Sequence, residues 1–392
     1  MVESSGHSYP TIPKSGRDVT FFASRPLRFM EKSGTIFVMH TLLRDTRLIW
    51  EWLPGQGKPV ALYGMGDGGD KALAACREYG VPVAGVFASD GFVRGQVFRG
   101  FPVETLAALE GRLGEMVVLL CFATARPEVL ENIRRISLRH TLLAPDLPLA
   151  DDIRFTPGFL EDHLPRFEEA ISLLADDQSR DTLRAILRFK LSGEFRYLER
   201  CETPRDADYL QLLAPGGQEV FVDAGAYNGD TVEEFLGHTG GRFREIYALE
   251  PNRRNFRKLD ERVKALGLPG IRCLRVGAWD SADILPFSPG SGRQSGVAEA
   301  GSSTPVDSID NILGGRPATI LKYDVEGAER RALLGSRCTI AEYKPRLAVS
   351  AYHRAGDLFA LPRLIHALHP GYKIYLRRHP CVPAWDTNLY AV

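Results

Sequence analysis

Apolar and polar positions along much of the chain form blocks that predict strands followed by helices. From Pro59 onward, strand-like runs such as P-V-A-L-Y and M-V-V-L-L-C-F-A are separated by helix-like segments such as D-K-A-L-A-A-C-R-E-Y-G. This alternation is typical of a parallel sheet, because each parallel connection needs a crossover helix. We therefore expect a Rossmann-like α/β domain over residues 56–150, preceded by an N-terminal arm at residues 1–55.

A helical connector is predicted for residues 151–210. Apolar positions recur there at spacings of three and four, which places them on one face of each of two helices. The inward-facing positions are Leu160, Leu164, Phe167, Ile171 and Leu174 in the first helix and Leu183, Ile186, Leu187 and Leu191 in the second. Ser179 is a candidate N-cap for the second helix. The simpler interpretation is a connector packed between domains, and the alternative is a dimerisation or substrate-lining element.

A second α/β pattern begins at Glu219 and predicts a domain over residues 211–392. Five strand-like runs, from E-V-F-V-D-A to R-L-A-V-S-A-Y, are followed by K-I-Y-L-R and N-L-Y-A-V, which favour an antiparallel hairpin at a sheet edge. Together they predict a seven-stranded α/β sheet. The Gly- and Ser-rich segment between Ser288 and Ser303 predicts a loop.

Charge and cysteine content narrow the class of protein. The 392 residues include 49 basic and 49 acidic side chains, so the chain lacks the positive field that binding to nucleic acid or an anionic membrane requires. The six cysteines contain no C-x-x-C pair, which favours reduced thiols. The longest apolar run is far shorter than the roughly 20 residues of a membrane-spanning helix. These features predict a cytoplasmic protein with a small-molecule ligand.

The C-terminal domain opens with a glycine-containing turn, V-D-A-G-A-Y-N-G-D-T. Gly225 and Gly229 are spaced G-x-x-x-G rather than G-x-G-x-x-G, and the flanking Asp223 and Asp230 would repel a pyrophosphate. Glu250 follows the next strand, where an acid can accept hydrogen bonds from both ribose hydroxyls. S-adenosylmethionine fits this pattern, because it has a ribose, no phosphate and a sulfonium that carboxylates attract. The alternative is that these acids are helix caps and solvated ends.

Further candidate groups follow the fourth and fifth strands of this domain. Asp324, Glu326 and Glu329 form an acid cluster that suits a divalent cation, but no histidine lies beside them at ligand spacing, so we expect no required metal. Asp324 is expected to face the cofactor tail or the acceptor hydroxyl, and the other two acids to begin a helix. His353 should emerge at the same edge as a general base, unless it is a structural histidine.

Several ordered motifs together resemble the FkbM family of S-adenosylmethionine-dependent methyltransferases. They are D-A-G-A-Y-N-G-D-T, E-P-N, V-G-A-W-D, L-K-Y-D-V-E-G-A-E and S-A-Y-H-R, within about residues 219–392. The resemblance implies a class I methyltransferase fold and O-methylation, often of sugars or polyketide-type natural products. His353 and Asp324, at the ends of the fifth and fourth strands, are the predicted catalytic residues. The predicted cofactor-binding residues are Asp223, Gly225, Ala226, Tyr227, Gly229, Asp230, Thr231, Glu250, Pro251, Asn252, Ala278, Trp279, Asp280 and Asp324.

A second glycine-rich turn, Y-G-M-G-D-G-G-D, lies in the N-terminal domain. Gly64, Gly66 and Gly69 satisfy G-x-G-x-x-G, and Asp90 follows the next strand, which fits a nicotinamide site. The runs G-V-F-A-S-D and R-G-F-P-V, within about residues 59–136, resemble the small nucleotide-sugar-binding domain of some bacterial sugar acetyltransferases. This resemblance implies a role in holding a nucleotide sugar, and the alternative is a domain that kept the fold without the ligand.

The combined expectation is a cytoplasmic O-methyltransferase that acts on a hydroxyl of a sugar, nucleotide sugar or related glycan or natural-product precursor. A homodimer is compatible with the sequence. Two alternatives remain open at this stage. One is a nicotinamide-dependent protein built on the first glycine turn, and the other is a nucleotide-sugar-binding protein without turnover.

Overall fold

Two largely parallel sheets joined by helices organise the chain in the computed structural model. The structure describes residues 42, 46–288, 296–297 and 302–392, so most of the predicted N-terminal arm lies outside the described residues. Within its last ten residues, Ile49, Trp50 and Leu53 are buried against the first sheet.

The N-terminal sheet has six strands in the order β3-β4-β2-β1-β5-β6. All neighbours are parallel except β3 and β4, which pair antiparallel at one edge. The four residues of β1 and of β5 are all buried, as expected for central parallel strands written as continuous apolar runs. The elements are α1 Ile49–Trp52, β1 Val60–Tyr63, α2 Asp67–Glu78, β2 Val83–Phe87, β3 Val97–Phe98, β4 Phe101–Glu104, α3 Leu106–Leu113, β5 Val117–Leu120, α4 Pro127–Ser137 and β6 Thr141–Leu143.

The connector is helical, but its second long helix begins differently from the prediction. The N-cap is Asp176, whose carboxylate accepts the backbone N–H of Ser179 at 2.8 Å. Ser179 instead lies inside the first helical turn, and its buried hydroxyl accepts the N–H of Leu376 at 2.9 Å. The helix is thereby fastened to the C-terminal sheet. The elements are α5 Pro157–Leu173, α6 Asp177–Ser192, α7 Phe195–Glu199 and α8 Arg205–Asp208, with a π-helical turn at Tyr209–Leu213.

The C-terminal sheet has seven strands in the order β16-β17-β15-β14-β7-β8-β9, which confirms the predicted class I methyltransferase fold. β17 is antiparallel to both its neighbours and the other pairs are parallel. The strand order reverses between β7 and β14, so a ligand crevice is expected at their carboxyl ends. The elements are β7 Val220–Ala224, α9 Asp230–Thr239, β8 Glu245–Leu249, α10 Arg253–Leu266, β9 Ile271–Leu274, α11 Ile309–Leu313, β14 Ile320–Tyr323, α12 Glu329–Leu334, α13 Arg337–Tyr343, β15 Arg346–Ser350, α14 Asp357–Leu368, β16 Ile374–Arg378 and β17 Thr387–Ala391.

A small four-stranded sheet follows β9 and includes every described residue of the segment 288–303 that was predicted to be a loop. Its strands are β10 Gly277–Ala278, β11 Asp283–Ser288, β12 Gly296–Val297 and β13 Ser302–Asp307, in the order β10-β13-β11-β12. β11 pairs antiparallel with both β12 and β13. Backbone pairing therefore overrides the Gly- and Ser-rich composition at both ends of the segment. Residues 289–295 and 298–301 lie outside the described residues.

Two further observations bear on the expected class of protein. All six cysteines are free thiols. In the described part of the chain, no helix combines the length and the apolar character needed to cross a bilayer. A cytoplasmic location stays a prediction.

Candidate active site

The carboxyl ends of the two sheets face a common cavity of about 1050 Å³. The C-terminal sheet contributes Gly225, Glu250 and Asp324, and the N-terminal domain contributes Gly68 and Phe122. The two walls are joined by an antiparallel pair of backbone hydrogen bonds between residues 124 and 382, at 2.8 and 2.9 Å. The cavity is therefore built by both domains rather than by the C-terminal domain alone.

The turn after β7 requires glycine at its first position. Gly225 has a φ of +87°, and a Cβ there would lie 1.9 Å from the carbonyl oxygen of Asp324. Gly229 also has a φ of +87° and is the N-cap of α9. Tyr227, between them, keeps a left-handed φ of +46° although it has a side chain. Such conformations are strained for non-glycine residues and concentrate at functional sites, which fits the position of Tyr227 on the cavity wall.

Asp223 lies beneath this turn rather than on the cavity wall. Its side chain is fully buried, and its carboxylate accepts hydrogen bonds from Lys322 Nζ at 2.8 Å and from the Thr231 hydroxyl. The Asp223 carboxylate thus ties the end of β7 to β14 and to the first turn of α9. The predicted direct contact between Asp223 and a cofactor stays a prediction.

Glu250, at the end of β8, lines the cavity with a carboxylate that is already partly engaged. Its Oε2 accepts the N–H of Tyr227 at 3.0 Å and its Oε1 accepts the N–H of Asn252 at 2.8 Å. Burial raises the pKa of Glu250 to about 7, although these two hydrogen bonds oppose the shift. Asn252 caps α10 by accepting the N–H groups of Arg254 and Asn255. A carboxyl group that is half-ionised near neutral pH therefore faces the predicted ribose position.

The cavity wall includes most, but not all, of the predicted cofactor-binding residues. Those on the wall are Gly225, Tyr227, Asp230, Thr231, Glu250, Pro251, Ala278, Trp279 and Asp324. Those away from it are Asp223, Ala226, Gly229, Asn252 and Asp280. Asp280 forms an ion pair with Arg331, whose guanidinium also lies over the Trp279 ring. Asp280 is therefore placed to orient the indole through Arg331.

His353, after β15, is 2% exposed and surrounded by carboxylates. Its Nδ1 lies 2.9 Å from Glu329 Oε1, and its Nε2 lies 3.3 Å from Glu326 Oε2 and 3.7 Å from Asp324 Oδ1. Burial lowers the pKa of His353, but the three negative charges outweigh it and raise the pKa well above the ordinary value. The imidazole is consequently protonated when only these side chains surround it.

Asp324 and Glu326, two of the carboxylates around His353, line the cavity. Burial raises the pKa of the Asp324 carboxyl, but the charges of Lys322 and His353 lower it overall. The Tyr352 hydroxyl donates to Asp324 Oδ1 at 3.0 Å. Glu326 lines the cavity with a left-handed φ of +54°. Asp324 thus presents a stable negative charge to a ligand.

The contact of Glu329 with His353 was missed by the sequence prediction, which placed Glu329 in an acid cluster and at a helix start. Glu329 does begin α12, but it is 1% exposed. Its Oε1 accepts the N–H groups of Val325 and Gly327, at 3.0 and 3.3 Å, and also contacts His353. The only signal in the sequence was its place in D-V-E-G-A-E, and nothing local linked it to His353.

The same cluster has a donor set that suits a divalent cation. Ligand atoms of Asp324, Glu329 and His353 lie within 4.8 Å of one another, contrary to the reasoning that no histidine accompanies these acids. The protonated His353 also balances the acids as a cation of the chain itself. The absence of a required metal stays a prediction.

The N-terminal glycine turn borders the cavity through residues other than the predicted ones. Gly68 and Lys71 of α2 line the wall, whereas Gly64, Gly66, Gly69 and Asp90 do not. A Cβ at Gly68 would lie 1.9 Å from the carbonyl oxygen of Cys121, so α2 approaches the end of β5 closely. Asp90 lies on an exposed turn. A nucleotide site at this turn stays a prediction.

Comparison with known proteins finds a family match within the C-terminal domain. Residues 223–369 match the family described as Methyltransferase FkbM domain. This FkbM-type domain carries the glycine turn, Glu250, the acid cluster and His353. The match supports methyl transfer as the reaction and S-adenosylmethionine as the cofactor, in agreement with the sequence prediction.

Solved structures extend the comparison to the whole architecture. A methyltransferase FkbM from Methylobacillus flagellatus KT is 25% identical, with a TM-score of 0.68 over 91% of this chain and 98% of that one. This similarity includes the N-terminal domain. An rRNA methylase from Streptococcus thermophilus is 16% identical, with a TM-score of 0.32 over 47% of this chain and 92% of that one. A fibrillarin from Aeropyrum pernix is 13% identical, with a TM-score of 0.32 over 48% of this chain and 74% of that one. A search of curated proteins found no match.

Proposed function

We propose that this chain is an S-adenosylmethionine-dependent O-methyltransferase that acts on a hydroxyl of a sugar, nucleotide sugar or related glycan or natural-product precursor. The observation that supports it most is the coincidence, in one cavity of an FkbM-type domain, of a glycine turn, a buried acid and a histidine–carboxylate cluster. The acid is Glu250 and the histidine is His353. This set provides for a cofactor and for the loss of an acceptor proton.

The wall of the FkbM-type domain suits S-adenosylmethionine along its length. Gly225 lines the cavity, and its missing Cβ lets the turn pack directly against the carbonyl oxygen of Asp324. Glu250 is positioned to accept hydrogen bonds from ribose hydroxyls, and Trp279 offers a ring face for adenine. Asp324 and Glu326 favour a cation at the reacting end through Coulomb attraction. When bound, this cofactor supplies an electrophilic methyl group on a positively charged sulfur.

The histidine–carboxylate cluster provides for proton removal. An acceptor hydroxyl must lose its proton as the methyl group is transferred, and histidine is suited to accept one near neutral pH. Glu329 contacts Nδ1 of His353 and thereby holds Nε2 toward Glu326 and Asp324. The carboxylates of Glu326 and Asp324 raise the pKa of His353. A positively charged ligand beside them would offset their negative charge and lower this pKa toward its ordinary value. His353 then becomes a competent base in the loaded site.

Replacing Glu250 with glutamine is expected to weaken S-adenosylmethionine binding by roughly 10- to 100-fold, because a hydrogen bond to a charged group contributes about 1.5–3 kcal/mol. In the unaltered protein the affinity should rise with pH through about 7, since the ionised carboxyl binds the cationic ligand better. Calorimetric titration one pH unit below and above that pKa measures both effects. The exposed Glu261→Gln variant is the control. Unchanged affinity in Glu250→Gln would refute the ribose assignment.

Replacing His353 with asparagine is expected to lower turnover by roughly 10²- to 10⁴-fold, the usual contribution of a general base. The variant should still bind S-adenosylmethionine, and no more weakly than the unaltered protein, because a positive charge that lowers the pKa of His353 must by linkage bind more weakly when His353 is protonated. Transfer of a labelled methyl group to a panel of hydroxylated sugars and glycosides measures turnover. Glu329→Gln removes the negative charge beside His353 Nδ1 and so lowers the pKa of His353. The acid limb of the pH profile should therefore move to lower pH. Full turnover in His353→Asn would show that another group accepts the proton of the acceptor hydroxyl.

A further inference from the structure

The cavity wall supplied by the N-terminal domain differs in chemistry from the wall of the FkbM-type domain. Its larger part is mostly apolar and comes from the segments after β5 and β6, residues 120–127 and 145–149, and the rest comes from the start of α2 with Met65, Asp67, Gly68 and Lys71. We call these two segments the apolar wall. Its members include Phe122, Ala123, Ala125, Pro145, Leu147 and Leu149. The C-terminal domain, by contrast, lines the cavity with carboxylates that include Asp230, Glu234, Glu250, Asp324, Glu326 and Asp386.

The described cavity-lining lysines and arginines all have carboxylate partners. Lys71 pairs with Asp67, Arg126 with Glu128, Arg205 with Glu234 and Asp386, and Lys322 with Asp223. A phosphate group in the cavity would therefore have to displace a carboxylate from one of these cations while facing several others. That arrangement disfavours an anionic ligand and tolerates an uncharged or cationic one.

One end of the apolar wall lies beside His353. The N–H of Ala150, one residue past the wall, donates to the carbonyl oxygen of His353 at 3.1 Å. The other segment is held by the paired hydrogen bonds between Thr124 and Val382. A molecule whose hydroxyl reaches His353 would therefore rest its remaining surface on these segments.

The volume of the cavity, about 1050 Å³, lies at the upper end of the range of about 300–1000 Å³ that is typical of ligand pockets. We propose that the apolar wall is the acceptor-binding surface, and that it takes an uncharged apolar or aromatic group attached to the hydroxylated part of the acceptor. This inference rests on the proposed function and selects, among its acceptors, those without a phosphate.

Three probes that share one sugar test the apolar wall. Phenyl β-glucoside, methyl β-glucoside and UDP-glucose are titrated into the full chain saturated with S-adenosylhomocysteine. The phenyl glucoside should bind at least roughly tenfold more tightly than the methyl glucoside, as burial of an aromatic ring predicts. UDP-glucose should bind no more tightly than the methyl glucoside. Equal or undetectable binding of the two glucosides, or tighter binding of UDP-glucose, would overturn the proposal.

A charge placed on the wall provides an independent readout. Ala125 is exposed and lines the cavity, so Ala125→Asp should fold normally and reduce the preference for the phenyl glucoside by roughly fivefold or more. Ala107→Asp, on an exposed position of α3 away from the cavity, is the matched control and should leave the preference unchanged. An unaltered preference in Ala125→Asp would place the phenyl group elsewhere. Titration of S-adenosylhomocysteine alone distinguishes a failure of the proposed function from a failure of the apolar-wall proposal. If S-adenosylhomocysteine does not bind, the result counts against the proposed function.

Discussion

Replacing Gly225 with alanine is expected to abolish measurable cofactor binding and to destabilise the fold by about 3 kcal/mol or more. The left-handed backbone alone costs a non-glycine residue about 1–3 kcal/mol. The new Cβ would also lie 1.9 Å from the carbonyl oxygen of Asp324, so either the turn or the end of β14 must move. Because both carry cavity-lining residues, this movement should lower the affinity for S-adenosylmethionine by at least roughly 100-fold.

Gly237 provides the matched control for this substitution. It lies within α9, which follows the same turn, and an added Cβ there meets nothing within 4 Å. Gly237→Ala is expected to be neutral or to stabilise the protein by up to about 1 kcal/mol, because alanine favours helix more than glycine does. Urea unfolding and calorimetric titration measure both variants. Normal stability and affinity in Gly225→Ala would show that the turn is not shaped as described.

Replacing Lys322 with methionine is expected to destabilise the protein by about 3–5 kcal/mol, because removal of one partner leaves a buried charge uncompensated. Asp223 is fully buried, and the 2.8 Å contact with Lys322 Nζ is its ionic partner. Burial lowers the pKa of Lys322, but the charges of Asp223 and Asp324 raise it overall, so the ammonium is charged over the ordinary pH range. The loss should appear as a lower urea midpoint with an unchanged slope.

A second substitution distinguishes this cause from a general loss of packing. The double variant Asp223→Asn/Lys322→Met no longer contains the unpaired charge, and the asparagine oxygen can still accept the hydrogen bond from Thr231. We expect it to be more stable than Lys322→Met alone, with a coupling free energy of about 1–3 kcal/mol in the double-mutant cycle. Additive losses would show that the two side chains act independently.

Local patterns in the sequence predicted the sheets and the backbone turn well. The seven runs of the C-terminal domain became seven strands, because continuous apolar runs between turn signals are typical of strands buried on both faces. Gly225 was predicted to let the backbone approach a ligand, which stays a prediction, and the structure shows that its missing Cβ makes room for the carbonyl oxygen of Asp324. Local signals were insufficient at Ser179, which was predicted to be the N-cap of α6. The N-cap is Asp176, three residues earlier.

The partners of the site residues were not predictable from local pattern. Asp223 and Lys322 are 99 residues apart, and β7 and β14 become neighbours only through the order of the sheet. Glu329 reaches His353 because α12 and the end of β15 meet at one edge. The position of the apolar wall opposite the carboxylates of the C-terminal domain depends on how the two domains pack, and no sequence motif links them. Each of these contacts arises from tertiary structure, which periodicity does not encode.

The most direct test of the central claim is calorimetric titration of the full chain with S-adenosylmethionine and, separately, with NADH in the same buffer. The claim is that the carboxyl edge of the C-terminal sheet binds the methyl donor. It predicts one S-adenosylmethionine per chain, an affinity that is lost in Gly225→Ala and kept in Gly237→Ala, and no binding of NADH. Stoichiometric NADH binding without S-adenosylmethionine binding would contradict it and make the N-terminal glycine turn the working site.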